Sequence, residues 1–188
     1  MSVSWYKGFF RNLAKQENGN FYFKDEDLSI GMGVRSPNVI FKVKFNYKNN
    51  LITVLNRTGT AYVGNISCEL HDSLQPIAFE INNISHLQNL FLRKKSRLKI
   101  TSKNKNIIHF LKHNRNIQEL SKIAEKDNFS PIITCEFDKS WRIDAAYHLA
   151  FDNWTEPIEP IITLYKNLID EFEKHIAYLN PKQYREMQ

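Results

Sequence analysis

The 188-residue chain has few of the residues that punctuate or cross-link a fold: six glycines, six prolines and two cysteines. So little glycine and proline excludes a collagen-like or low-complexity chain. Cys68 and Cys135 are far apart, match neither a zinc-ligand spacing nor a redox motif, and fall in apolar, strand-like surroundings. Both are expected to be reduced core residues. No run approaches the roughly 18 consecutive apolar residues of a membrane-spanning helix, and the N-terminus shows no apolar signal-peptide core with a cleavage site. A soluble, cytoplasmic protein is expected.

Catalytic signatures are missing too. There is no Gly-x-Ser-x-Gly elbow and no Gly-Lys-Ser/Thr phosphate loop, and Gly31-Met32-Gly33 is not followed by a third glycine. Helix-turn-helix and zinc-finger patterns are also absent, which removes sequence-specific reading of DNA. The expectation is a binding protein rather than an enzyme, with no cofactor and no metal.

What is present is an ordinary globular composition, 42% hydrophobic and 24% charged. The length suits one domain spanning 1–188, β-rich over about 20–82 and mixed over about 83–188. The abundance of Asn, Ile and Lys is that of an AT-rich genome, and a bacterial source is expected. Charge is divided unevenly: residues 1–135 hold 20 Lys and Arg against 10 Asp and Glu, whereas residues 136–188 hold 6 against 10.

Periodicity supplies the elements. Trp5, Tyr6, Phe9, Phe10 and Leu13 form one face of an N-terminal helix with Ser4 as its N-cap and Lys7, Arg11 and Lys15 opposite. Val39, Phe41, Val43, Phe45 and Tyr47 alternate as one face of a half-buried strand, whose hairpin partner is Leu51 to Asn56. A turn at Asn18, Gly19 and Asn20 ends the first helix and leads into Phe21 to Phe23; shorter strands are expected at Thr60–Val63, Ile66–Leu70 and Pro76–Ile81, then a short helix through Ile84, Leu87, Leu90 and Phe91, and a strand over Arg97–Thr101. Two helices follow, about Asn104–His113 and Ile117–Lys126, and then a hairpin that turns around Asp138 to Ser140. Its second arm carries Trp141, Ile143, Ala145, Tyr147 and Leu149 on one face. The strongest helix begins near Ile158 and is stopped by Asn180-Pro181. This order predicts an α+β fold: a mainly antiparallel sheet, an N-terminal amphipathic helix, a central helical pair and a long C-terminal helix packed on the sheet.

The sharpest functional feature is a basic run with no acidic residue from Arg93 to Arg115: Arg93, Lys94, Lys95, Arg97, Lys99, Lys103, Lys105, Lys112 and Arg115. Because Leu98 and Ile100 point inward, Arg97 and Lys99 are expected to share an exposed face. Such a surface suits an acidic protein partner, nucleic acid or an anionic membrane. The helix over residues 4–15 has the aromatic and basic faces of an interfacial anchor, although docking on the sheet accounts for the same stripe. His109 and His113 are four residues apart on a helix, the spacing of a shared metal, but the glutamate of a His-Glu-x-x-His site is missing and surface histidines are expected. The enzymatic alternative draws on Glu136, Asp138, Asp144 and His148. It turns on burial: an Asp and a His inside a core would demand a function, and on a solvated face they would not.

Overall fold

The computed structural model describes residues 3–29, 31–84 and 97–179, and in them the period-two segments become the strands of one antiparallel sheet. β1 (Asn20–Ser29), β2 (Arg35–Tyr47), β3 (Asn50–Gly59) and β4 (Val63–Glu69) form a meander. β5 (Phe79–Asn83), β6 (Leu98–Thr101), β7 (Ile132–Phe137) and β8 (Trp141–His148) complete the order β1-β2-β3-β4-β8-β7-β5-β6. Four helices accompany them among the described residues: α1 (Val3–Gln16), α2 (Lys105–His113), α3 (Arg115–Lys126) and α4 (Ile158–Leu179).

The register explains why the fold holds. Phe21, Val43, Val54, Ile66, Ala145, Ile133, Ile81 and Ile100 stand side by side, one from each strand, as a single apolar row across the sheet. The next row, Phe45, Ile52, Cys68, Ile143, Cys135 and Phe79, is buried throughout. Alternate residues such as Lys44, Thr53, Ser67 and Asp144 face the other way and are exposed or half-buried. One covered and one solvated face is the usual economy of an antiparallel sheet.

The long C-terminal helix, α4, buries Ile158, Ile161, Ile162, Leu164, Tyr165, Leu168, Ile169 and Phe172. The Tyr165 hydroxyl donates to the Ile66 carbonyl at 2.7 Å. The aromatic face of α1 lies against β1 and β2: Phe10 stacks on Phe41 with ring centroids 5.2 Å apart, and Tyr6 stacks on Trp154 at 4.7 Å. On the same side Lys7 places its ammonium 4.1 Å above the Phe23 ring. Lys166 of α4 reaches Glu17, just past α1, at 2.6 Å. The β2–β3 turn is held in turn by α4, where Lys48 contacts Asp170 at 2.7 Å and Glu173 at 2.8 Å. Lys48 and Asn49 both have positive φ, as a two-residue hairpin turn of the right-handed twist requires.

Local departures from the sequence reading have identifiable causes. Ser4 lies inside α1 rather than capping it, since the helix starts at Val3. Of the two strands expected at Thr60–Val63 and Ile66–Leu70 one forms, Val63–Glu69: residues 60–62 connect it to β3, and Gly64 continues the ladder instead of turning the chain. A side chain at Gly64 would strike Tyr147: an added Cβ would lie 2.5 Å from Cζ of that ring. The strand expected from Pro76 begins only at Phe79. The helix expected through Leu87, Leu90 and Phe91 lies outside the described residues, as do Asn180 and Pro181.

Candidate functional site

The basic run enters the described structure at Arg97 and continues through β6 and α2 into α3. Two asparagines set the geometry of this corner. Asn104 caps α2, its side-chain oxygen accepting from the Asn106 and Ile107 amides at 2.8 and 3.2 Å. Asn114 ends α2, its N–H donating to the Leu111 carbonyl, and begins α3, its side chain accepting from the Asn116 amide at 2.9 Å. Serving both helices, it makes their junction a single residue long.

The structure separates the cations that the sequence puts in one list. Arg97 is a correction: it is buried, not on an exposed face with Lys99. Its guanidinium donates to the Ala124 carbonyl at 2.6 Å, and its backbone N–H donates to Ser121 Oγ at 3.2 Å. A fixed cation against the last carbonyls of α3 offsets the negative end of that helix, so Arg97 belongs to the fold. Arg115 is exposed and pairs with Glu119 at 3.0 Å. Lys103 and Lys105 are exposed where the chain enters α2, and Lys112 is exposed near its other end, seven residues from Lys105, about 10 Å along the axis. Arg93, Lys94 and Lys95 lie outside the described residues.

Lys99 and Lys112 come together at a groove of about 660 Å³ between β6 and α3. Its apolar lining is Ile84, Leu98, Ile100 and Ile117; Gln118, Ser121, Lys122 and Glu125 line it from α3. The arrangement sets lysine side chains beside an aliphatic surface, with no aromatic ring among the described lining residues. Lys122 was missed in the sequence because it lies beyond the acid-free run. The α3 spacing Gln118, Ser121, Lys122, Glu125 was the signal that could have found it.

The residues of the enzymatic alternative share the solvated face of the β7–β8 hairpin, with Glu136 and Asp144 at one end and His148 at the other. Asp144 is half-buried on the solvated face of β8 and pairs with Arg142 of the same strand at 2.9 Å. His148 is four residues further along the strand, about 13 Å away, and exposed. Glu136 stands opposite Arg142 on β7, and Asp138 lies in the hairpin turn. The burial that would have demanded a function is therefore absent at this pair.

His109 and His113 have ring centroids 4.2 Å apart, and His113 Nδ1 lies 2.8 Å from the His109 carbonyl, to which it donates. Among the described residues no group of three or more His, Cys, Asp or Glu side chains is placed to hold a metal ion. Both cysteines are buried with free thiols, and burial pushes each thiol up to about 12. A thiol held protonated is a poor nucleophile.

No family model matches the chain, and no curated protein matches it. A solved structure, the crystal structure of the mycobacterial trehalose monomycolate transport factor A, TtfA, is similar over 87% of this chain and 93% of that one, at 10% identity and a TM-score of 0.44. A likeness at that level carries no reading of function. No helix among the described residues is long and apolar enough to cross a membrane.

The face of α1 that resembles an interfacial anchor is turned toward the sheet, with Tyr6, Phe10 and Leu13 buried, while Trp5 at the start of the helix is 45% exposed.

Proposed function

We propose that the protein is a non-catalytic binding module that engages an acidic macromolecular partner through the β6–α2–α3 corner, with Lys99, Lys112 and Lys122 as the principal cations and Lys103 and Lys105 extending the field. The observation that carries this reading is the groove itself, in which lysines border an aliphatic floor of Ile84, Leu98, Ile100 and Ile117. Of the acidic partners that a basic surface could take, the lining favours a protein. Single-stranded nucleic acid is generally held by stacking its bases on aromatic rings, and none of the described residues that line the groove is aromatic. A peptide segment with carboxylates beside aliphatic side chains meets both properties, the charge steering the encounter and the apolar contact holding it.

The test is binding of the purified protein to a labelled peptide of alternating Glu and Leu across a salt series, beside a 20-mer DNA duplex and phosphatidylglycerol vesicles. The wild type is compared with a Lys99→Ser, Lys112→Ser, Lys122→Ser variant that leaves Arg97 untouched. Peptide binding that is lost in the variant supports the reading. DNA binding with a steep salt slope and no peptide binding replaces the protein partner with a polyanion. Vesicle binding alone moves the partner to the membrane, and binding to none of the three removes the basic corner as a site.

A further inference from the structure

The covered face of β3 carries two buried asparagines, Asn50 and Asn56, and the carboxamide of Asn50 is satisfied, donating to the Tyr47 and Lys48 carbonyls and accepting from the His71 N–H. In the row that crosses β2, β3, β4 and β8 as Phe41, Asn56, Gly64 and Tyr147, the asparagine is buried among residues that are otherwise apolar or bare backbone. Both the Nδ2 and the Oδ1 of Asn56 are buried, and neither has a hydrogen-bond partner among the described residues. The Tyr147 hydroxyl is buried and likewise without a partner among the described residues.

These groups are neighbours by construction. The Tyr147 ring lies across Gly64, whose absent side chain makes room for it, with ring atoms Cε2 and Cζ nearest the position a Cβ would take. The phenol therefore reaches over β4, and the next side chain in that direction is Asn56, one strand spacing of about 4.8 Å beyond Gly64. Phe129 and Phe151 pack on the Tyr147 ring at 5.4 and 6.2 Å, and Tyr6 and Phe10 pack over Phe41. Aromatic side chains thus wall the polar groups off from solvent, and none of the described residues places a donor or an acceptor within bonding distance of them.

We infer that Asn56 and Tyr147 form an internal binding site for ordered water. The chemistry of the three atoms fits that ligand. The carboxamide offers two N–H donors and an acceptor, and the phenol one of each. A water placed between them satisfies one amide atom and the hydroxyl, and a second water serves the remaining amide atom. Buried waters are held in this way, by about three bonds to groups the protein leaves unpaired, whereas cavities lined only by apolar atoms stay dry. The inference is independent of the basic corner and of any partner there.

Two measurements test it. In NOESY and ROESY spectra of the isotope-labelled protein, the Asn56 side-chain amide protons are expected to show cross-peaks to water of equal sign in both experiments after inversion for the rotating frame, the signature of a long-lived bound molecule. Thermal melts of the near-isosteric variants Tyr147→Phe and Asn56→Leu supply the second measurement. If water bridges the pair, each single change strands a bonded partner and lowers Tm, and the double change recovers part of the loss. A dry site predicts the reverse, with both single variants raising Tm because each deletes an unpaired buried group. A rise in both, or a crystal structure in which the two side chains bond directly to each other with no solvent between them, overturns the inference.

Discussion

Tyr147 covers Gly64 so closely that a methyl group at residue 64 would lie 2.5 Å from the ring's Cζ atom. The ring cannot retreat freely, since Phe129 and Phe151 pack against it. Gly64→Ala is expected to destabilise the protein by about 1–3 kcal/mol, the range for overpacked cores. Urea unfolding followed by circular dichroism measures the change. In a double-mutant cycle, Tyr147→Leu should restore much of what Gly64→Ala loses; strictly additive effects would show that the two do not collide.

Arg97 and Lys99 are two residues apart and are expected to separate completely on mutation. Arg97→Gln removes the charged donor from the Ala124 carbonyl and should cost roughly 2 kcal/mol. Lys99→Ser, on an exposed side chain, should fall within about 0.5 kcal/mol of the wild type. Equal effects at the two positions would contradict the placement of Arg97 under α3.

Asn114 is the shared cap of α2 and α3. Asn114→Ala should cost about 1–2 kcal/mol, and Asn104→Ala, which uncaps α2 alone, about 1 kcal/mol. Hydrogen exchange distinguishes them: the first variant should raise exchange at the start of α3, around Asn116 and Ile117, and the second at Asn106 and Ile107.

Alkaline solution should weaken the fold through its two buried thiols. Cys68 and Cys135 are raised from an ordinary 9.0 to about 12 by burial, so between those values the folded chain keeps protons that the unfolded chain has released. Their contribution is complete below pH 9 and declines as pH rises, by up to about 1.4 kcal/mol per pH unit for each thiol. Burial raises Tyr165 and Tyr147 in the same sense above pH 10. Urea midpoints from pH 8 to 10 should fall, and the slope should shrink in a Cys68→Ala, Cys135→Ala variant. An unchanged slope would mean that the thiols ionise in the folded state.

The fold was legible where one face of an element is buried. β2 and β8 read directly, because Val39 to Phe45 and Ile143 to Tyr147 alternate against solvent, and α4 read because its apolar residues recur at helical steps. The start of β4 is not legible, because Gly64 and Asn65 carry the composition of a turn, and only a ring from β8, more than 80 positions away in the chain, explains the glycine. The basic corner was half legible. Charge counting finds lysines but cannot tell Lys99, which stays at the surface, from Arg97, which is drawn beneath the end of a helix not yet placed. Lys122 escaped for the converse reason, since α3 carries acids among its cations and has no net signal in one dimension.

The pairing of β4 with β8 fixes the order in which the chain can complete itself. Residues 20–69 are made well before β8 and can close their own hairpins, but the Ile66 edge finds its partner only when Ala145 has been made. Until then β4 presents a row of unpaired peptide groups, the template on which strands of other chains add. Glu69 at its end and the half-buried polar residues Asn65 and Ser67 along its outer face temper that edge. The last helix completes the layer over the sheet, with Tyr165 bonded to the Ile66 carbonyl. The first helix meets the same late arrivals, Tyr6 stacking on Trp154 and Glu17 pairing with Lys166. A nascent chain therefore carries its opening segment incompletely anchored through most of translation, and truncation after β7 would leave both the seam and the N-terminal helix without the residues that close them.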